Sequence, residues 1–259
     1  MPELPEVETV RRVLEEKISG QTFLSYRLGT PTFYRCPDDA LLRNLQGLKI
    51  LGVSRRGKYL ILRFHNNREL ILHLGMSGRI HFNENSPQAR ISLYFSKTSV
   101  YFQDARRFGR VMGRLPLLGP EPLSQDFNVD YLSSVLKNKK AAIKSALMDQ
   151  SIVAGLGNIY ATETLYLAGI RPGRKSCRAR LDEIQKVVFS AQELLRRSIS
   201  IGGTTLPDES YLDPLGRPGR FQDQLKIYGK TICPKGHAIS RTTRLIAGRR
   251  AYYCRFCQR

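Results

Sequence analysis

The sequence predicts an α+β protein: an N-terminal helix plus a β-sandwich domain, then a helical domain ending in a small β-hairpin around a metal site. Three observations predict this. Apolar residues recur at helical spacing over 7–18, short β-rich runs broken by turn residues fill 22–111, and beyond a Gly119-Pro120 break the periodicity becomes helical up to a Cys/His-bearing tail.

Taken in order, the first helix runs over 7–18 and is stopped by Gly20. Strands are expected at 49–53, 59–64, 69–74, 91–95 and 100–102, with Asn66-Asn67 and 83–87 as turns. Helices follow at 129–136, 140–148, 157–168 and 181–199, and short strands occupy the tail from 226. The expected division is an N-terminal domain over 1–115, a linker over 116–130, a helical domain over 131–225 and a metal-binding tail over 226–259. No internal repeat or low-complexity tract interrupts it.

The chain has 259 residues, with 42 Lys and Arg against 22 Asp and Glu, a formal charge of +20. So basic a surface implies a polyanionic partner, and nucleic acid is the usual one. The sequence has no apolar run of membrane-spanning length and no ordered signal peptide, so a soluble cytoplasmic monomer is expected. Five unevenly spread cysteines argue against a disulfide framework, and Cys36 and Cys177 read as ordinary thiols.

The tail carries the strongest local signal. Cys254-Arg-Phe-Cys257 has the two-residue gap that lets two thiolates share a tetrahedral ion, and Cys233-Pro-Lys-Gly-His237 supplies the other half. The expected cofactor is one structural Zn2+, held by Cys233, His237, Cys254 and Cys257. All four positions come from protein, so no open site is left for a catalytic water. The basic loop between the halves includes Arg241, Arg244, Arg249 and Arg250.

The opening, Met1-Pro2-Glu3-Leu4-Pro5-Glu6, carries the second signal. Removal of Met1 would leave Pro2 with a free secondary amine. An α-amino group has a reference pKa near ~8, so a useful fraction is an unprotonated nucleophile at neutral pH, able to form a Schiff base at a sugar C1′. Glu3 is placed to shuttle protons, and Glu6 adds a second carboxylate. If Met1 is retained, Pro2 is an amide and cannot act.

MPELPEVETV resembles the start of the bacterial formamidopyrimidine-DNA glycosylases, bifunctional enzymes that excise oxidised purines and nick the strand. The resemblance continues in order along the whole chain, and it implies a helix-two-turn-helix DNA-binding domain and a C-terminal β-hairpin zinc finger. Lys58, in Arg55-Arg56-Gly57-Lys58-Tyr59, matches a phosphate-contacting lysine that assists strand cleavage. His73-Leu74-Gly75-Met76-Ser77-Gly78 and Asp104-Ala105-Arg106-Arg107-Phe108-Gly109 match loops that present Met76, Arg106 and Phe108 to the duplex. A glycosylase must evert its target nucleotide, and filling the vacated space recovers part of the lost stacking. Ala154-Gly155-Leu156-Gly157-Asn158 matches the helix-two-turn-helix element, where Asn158 adds a side-chain donor to phosphate, and Lys144 is expected as a further phosphate contact. Gly202-Gly203-Thr204-Thr205 and Leu215 to Phe221 resemble a lid over the everted base. Arg250 stands where the family has a phosphate-gripping arginine.

This chain departs from the pattern in three places. His237 replaces a cysteine ligand and sits one residue late, Ala105 replaces a proline, and only Gln88 or Arg90 is available where a histidine touches the DNA backbone. The reading is a base excision repair enzyme acting on duplex DNA with oxidised bases by β,δ-elimination through Pro2. Two rivals are an endonuclease VIII-type enzyme for oxidised pyrimidines, disfavoured by Leu4, and a lesion-binding protein without catalysis, disfavoured by Pro2, Glu3 and Lys58.

Overall fold

The computed structural model describes residues 2–82, 89–207 and 211–259. The chain forms two compact units, Met1–Pro116 with Ser198–Gln222, and Leu117–Arg197 with Asp223–Arg259. The sequence reading assigns 198–222 to the helical domain; here that stretch belongs with the N-terminal unit, for a reason that lies in Glu6 and is given below.

In the first unit, helix α1 (Leu4–Ile18) begins earlier than its apolar spacing predicts. Glu3 is its N-cap and forms a capping box with Glu6, while Pro5 occupies the first turn, where a missing N–H leaves no helical bond unmade. Its buried stripe of Val7, Val10, Leu14 and Ile18 joins the sandwich core. One antiparallel sheet has the order β1 (Phe23–Leu28), β6 (Ala89–Phe95), β7 (Ser99–Asp104), β5 (Gly78–His81). The other has β2 (Ile50–Arg56), β3 (Tyr59–Phe64), β4 (Glu69–His73), β8 (Arg110–Met112). Leu60, Leu62, Leu70 and Leu72 bury one face of the second sheet against Phe23, Ile91 and Phe102 of the first. A short helix, α2 (Asp39–Arg43), is capped by the Asp38 carboxylate.

The second unit holds α3 (Val129–Leu136), α4 (Ile143–Met148), α5 (Asn158–Leu167) and most of α6 (Leu181–Ser200), and ends in the hairpin β9 (Ile239–Arg241) and β10 (Tyr252–Cys254). Helix α4 starts later than expected because Ala142 pairs as an extended bridge with Lys175 and the Ile143 N–H donates to Arg174 O. Among the described residues no helix is long and apolar enough to cross a membrane.

Candidate active site and metal centre

Pro2 is buried and immediately precedes the N-cap of α1, and Glu3 is 1% exposed. The Glu3 N–H donates to Glu6 Oε2 (2.8 Å), while the other oxygen of Glu6 accepts the Thr204 N–H (2.7 Å). A single buried carboxylate therefore ties the N-terminal residues to the segment that the sequence marks as a lid. Gly203 has φ +82°, and a Cβ there would lie 2.6 Å from Glu6 Oε1. Tyr211 completes the seam by donating to the Glu6 carbonyl (3.3 Å). Residues 208–210 lie outside the described residues.

Lys58 lies in the tight turn between β2 and β3 and is 5% exposed. Cross-strand pairing sets Tyr59 opposite His73 and packs their tilted rings with centroids 4.8 Å apart. Burial first, then the positive charges of Lys58 and Arg110, push the His73 imidazole down to about 4. It is thus neutral at physiological pH, with Nδ1 accepting from the Gly75 N–H (3.3 Å). The sequence reading quoted His73 only as part of a motif. Its place on β4 beside Lys58 and Arg110 makes it part of one positively charged corner. Behind that corner, Glu8 holds Arg11, Arg12 and Arg55; burial opposes its ionisation, but the three guanidiniums outweigh it and lower its pKa.

The shift at His73 predicts acid sensitivity. The unfolded chain gains a proton near pH 6.5 that the folded chain takes only near 4, so stability is lost as pH falls through that window and is unaffected above it. His73→Gln should remove up to ~3 kcal/mol of that loss. Urea unfolding of both proteins across the window checks this, and identical slopes would refute it.

The loops 73–78 and 104–109 are built as one piece. Asp104, wholly buried, accepts from Ser77 Oγ (2.6 Å), Arg106 N (3.2 Å) and Gly109 N (2.6 Å). Gly75 has φ +64° and is packed so closely on Phe108 that a Cβ would lie 2.7 Å from its carbonyl carbon. Phe108 is 45% exposed with the Arg106 guanidinium over its ring, and Met76 is half-buried on the neighbouring loop. Arg90 braces this assembly by donating to Asp104 O (2.8 Å) and Pro31 O (2.9 Å). Gln88 lies outside the described residues.

In the second unit Asn158 opens α5 directly after the Gly157 N-cap. Lys144 is wholly buried and donates to Asn158 Oδ1 (2.7 Å), while Asn158 Nδ2 donates to Tyr228 Oη (3.1 Å). Lys144 thus stands behind Asn158 and orients its amide, rather than reaching outward as the sequence reading expected. Tyr228 was not singled out from sequence. Its place is set by Glu163, whose buried carboxylate accepts the backbone N–H groups of Lys226, Ile227 and Tyr228.

The four expected metal ligands converge, with donor atoms all within 4.8 Å of one another. His237 Nδ1 lies 3.6, 3.8 and 3.5 Å from the sulfurs of Cys233, Cys254 and Cys257, and Cys233 and Cys257 are 3.9 Å apart. Tetrahedral zinc with bonds of about 2.3 Å to sulfur and about 2.0 Å to nitrogen requires S···S near ~3.8 Å and S···N near ~3.5 Å. The donor set therefore fits zinc, with Nδ1 as the imidazole ligand. The group could bind a metal as a zinc finger does, and Gln258 anchors it by accepting from Cys254 N (2.8 Å) and donating to Ile170 O (2.7 Å). Arg249 and Arg250 follow the hairpin turn in which Ala247 and Gly248 take positive φ.

The N-terminal Pro-Glu cap, the cationic corner and the Cys/His finger are features that the sequence resemblance implies for a DNA glycosylase. Comparison with known proteins agrees. The N-terminal domain of formamidopyrimidine-DNA glycosylase matches residues 1–111, and the H2TH domain of the same enzyme matches residues 118–210. A formamidopyrimidine-DNA glycosylase of Syntrophomonas wolfei is 40% identical over all of both chains, and that of Thermus thermophilus is 39% identical over all of this chain and 98% of its own. The crystal structure of the Thermus thermophilus protein superposes with TM-score 0.90 at 38% identity, covering 99% of this chain and 98% of that one. A Lactococcus lactis relative in complex with DNA containing Fapy-dG superposes with TM-score 0.89 at 34% identity, each chain fully covered. The chain belongs to the formamidopyrimidine-DNA glycosylase family, the bifunctional glycosylase/AP lyases of DNA base excision repair.

Proposed function

We propose that this protein removes 8-oxoguanine and formamidopyrimidines from duplex DNA, with Pro2 as the nucleophile. The observation that carries this is the buried cap of α1, where Pro2 and Glu3 are held by Glu6 within the unit that also bears the Lys58, His73 and Arg110 corner. The amine of Pro2 attacks C1′, the glycosidic C–N bond breaks, and the base leaves with the bonding pair and a proton. Glu3 assists the proton transfers. The C1′–O4′ bond then opens as the Pro2 nitrogen forms the iminium and O4′ takes up a proton through Glu3; the iminium acidifies the C2′ proton, whose loss expels the 3′ phosphate, a second elimination expels the 5′ phosphate, and water releases Pro2. Lys58, Asn158 and the arginines at the hairpin end grip flanking phosphates, Arg90 keeps spare guanidinium donors for the same use, and Gln88 is an alternative. Cys233, His237, Cys254 and Cys257 hold one Zn2+ that crosslinks the finger. The protein acts as a monomer in the bacterial cytoplasm.

A panel of duplexes, each with one lesion, tests this reading. The expected products are the free oxidised purine and a gap with phosphate at both ends. Turnover of oxidised pyrimidines alone, or binding without any release, would overturn it.

Phe108, Met76 and Arg106 are proposed to act after lesion contact. Phe108→Ala should leave undamaged-duplex affinity nearly unchanged and slow excision about tenfold or more, since the vacated stack loses its wedge. Wild-type excision would sink that role. Arg250→Ala should reduce the slope of log affinity against log salt by about one unit, and the same measurement on Arg249→Ala ranks the two arginines.

A further inference from the structure

Outside the residues already assigned, the second unit contains a groove of about 570 Å³ between the turn 171–174 and the first arm of the hairpin. Six arginines line it, Arg171, Arg174, Arg241, Arg244, Arg255 and Arg259, and among the described residues no Asp or Glu side chain does. Among the described residues only Arg174 has an acidic side-chain partner, Glu183 at 2.6 Å. Two others are fixed by neutral acceptors. Arg171 donates to the carbonyls of Gln258 (3.0 Å) and Arg255 (3.2 Å), and Arg241 donates to Tyr252 Oη (2.7 Å) while lying over its ring. Arg244, Arg255 and Arg259 are exposed and have no ion pair among the described residues. Like charges gathered with little neutralisation in a concave, partly desolvated site raise its affinity for an anion.

The floor is different in kind. Pro172 and Ile246 are buried, Tyr253 is half-buried, and Leu245 extends one wall. Guanidinium forks match phosphate oxygens in pairs, and a flat apolar and aromatic floor accepts the face of a nucleobase. A plain inorganic anion would use only the rim. We propose that this groove is a second binding site, for a nucleoside phosphate. None of Pro2, Glu3, Lys58, Met76, Phe108, Asn158 or Arg250 lines it, so it is separate from the groups assigned to excision. The ligand is either a free nucleotide or a nucleotide of a DNA strand flanking the lesion; the chemistry is shared, and the experiment separates the sources.

Titration calorimetry of the zinc-loaded full chain with ATP is the test. One ATP per chain is expected, weakened roughly tenfold or more by Arg244→Ala with Arg255→Ala, and unchanged by Lys58→Ala. Inorganic triphosphate should bind more weakly than ATP, because it leaves the apolar floor uncovered. Zinc content and circular dichroism confirm that the double variant is folded. In competition, ATP retained beside both a short lesion duplex and one twice as long identifies a free nucleotide. Displacement by the longer duplex alone identifies the flanking strand. No ATP binding, binding indifferent to the arginine pair, equal binding of triphosphate, or loss on Lys58→Ala or on adding the short duplex overturns the proposal.

Discussion

Blocking the N-terminus should abolish covalent capture of DNA. With Met1 removed, borohydride added during turnover should lock the protein to its substrate by reducing the Pro2 iminium. In a variant that retains Met1, the nitrogen of Pro2 is an amide whose lone pair is delocalised, and strand cleavage should fall by ~3 orders of magnitude or more, the scale seen when a nucleophile is removed. Pro2→Gly separates two readings. It keeps an α-amine of ordinary pKa but loses the ring that fixes the backbone before the Glu3 cap, so trapping should be reduced yet well above that of the blocked form. Equal trapping by the Met1-blocked protein would transfer the role to another amine, and the nearest assigned candidate would be Lys58. Intact mass of the native protein shows whether the amine is free.

The order of elements was largely legible, because each strong run had its own local signal. Residues 59–64 are a short, mostly apolar run with an aromatic residue at each end and form β3 over that span, and α3 follows its apolar spacing with Asn128 as the cap. Strands β1, β5 and β8 escaped notice. β8 has three residues, β5 four, and β1 is only partly buried, so their pairing is dictated by neighbours rather than by their own composition. The start of α1 was hidden for another reason: two prolines and two glutamates look like a solvated terminus until the reciprocal bonds of the capping box are visible. The site divided in the same way. The ligands of the finger are read from spacing, since one tight turn must hold two thiolates. No local pattern could reveal that Glu6 bonds the Thr204 amide, that Glu163 seats Tyr228, or that Lys144 is buried behind Asn158, because each contact is decided by packing between residues far apart in the chain.

Removing the metal ligands should dismantle the finger and, with it, much of the DNA affinity. The finger's own apolar cluster is small, chiefly Ile227, Cys233 and Cys254 with Tyr166, Ile239 and Tyr252 against it, too little to hold the hairpin against its conformational entropy. Zinc binding to such sites is worth about 10–16 kcal/mol, so a bound zinc would be the principal crosslink there. Cys257→Ala or His237→Ala should reduce zinc from one per chain towards none and expose the amides of β9 and β10 to hydrogen exchange. Arg249, Arg250 and the seat of Tyr228 should then lose their fixed positions. Loss of two charge-assisted phosphate contacts at ~1.5 kcal/mol each corresponds to roughly a hundredfold weaker duplex binding. The sandwich has its own core and should keep its unfolding midpoint. Acidification should act in the same direction as the substitutions, since protons compete for the thiolates and the imidazole, and added zinc should restore binding to the wild type but not to the variants. Full zinc occupancy with unchanged affinity in His237→Ala would show that the imidazole is not a ligand and that three thiolates with another donor hold the ion.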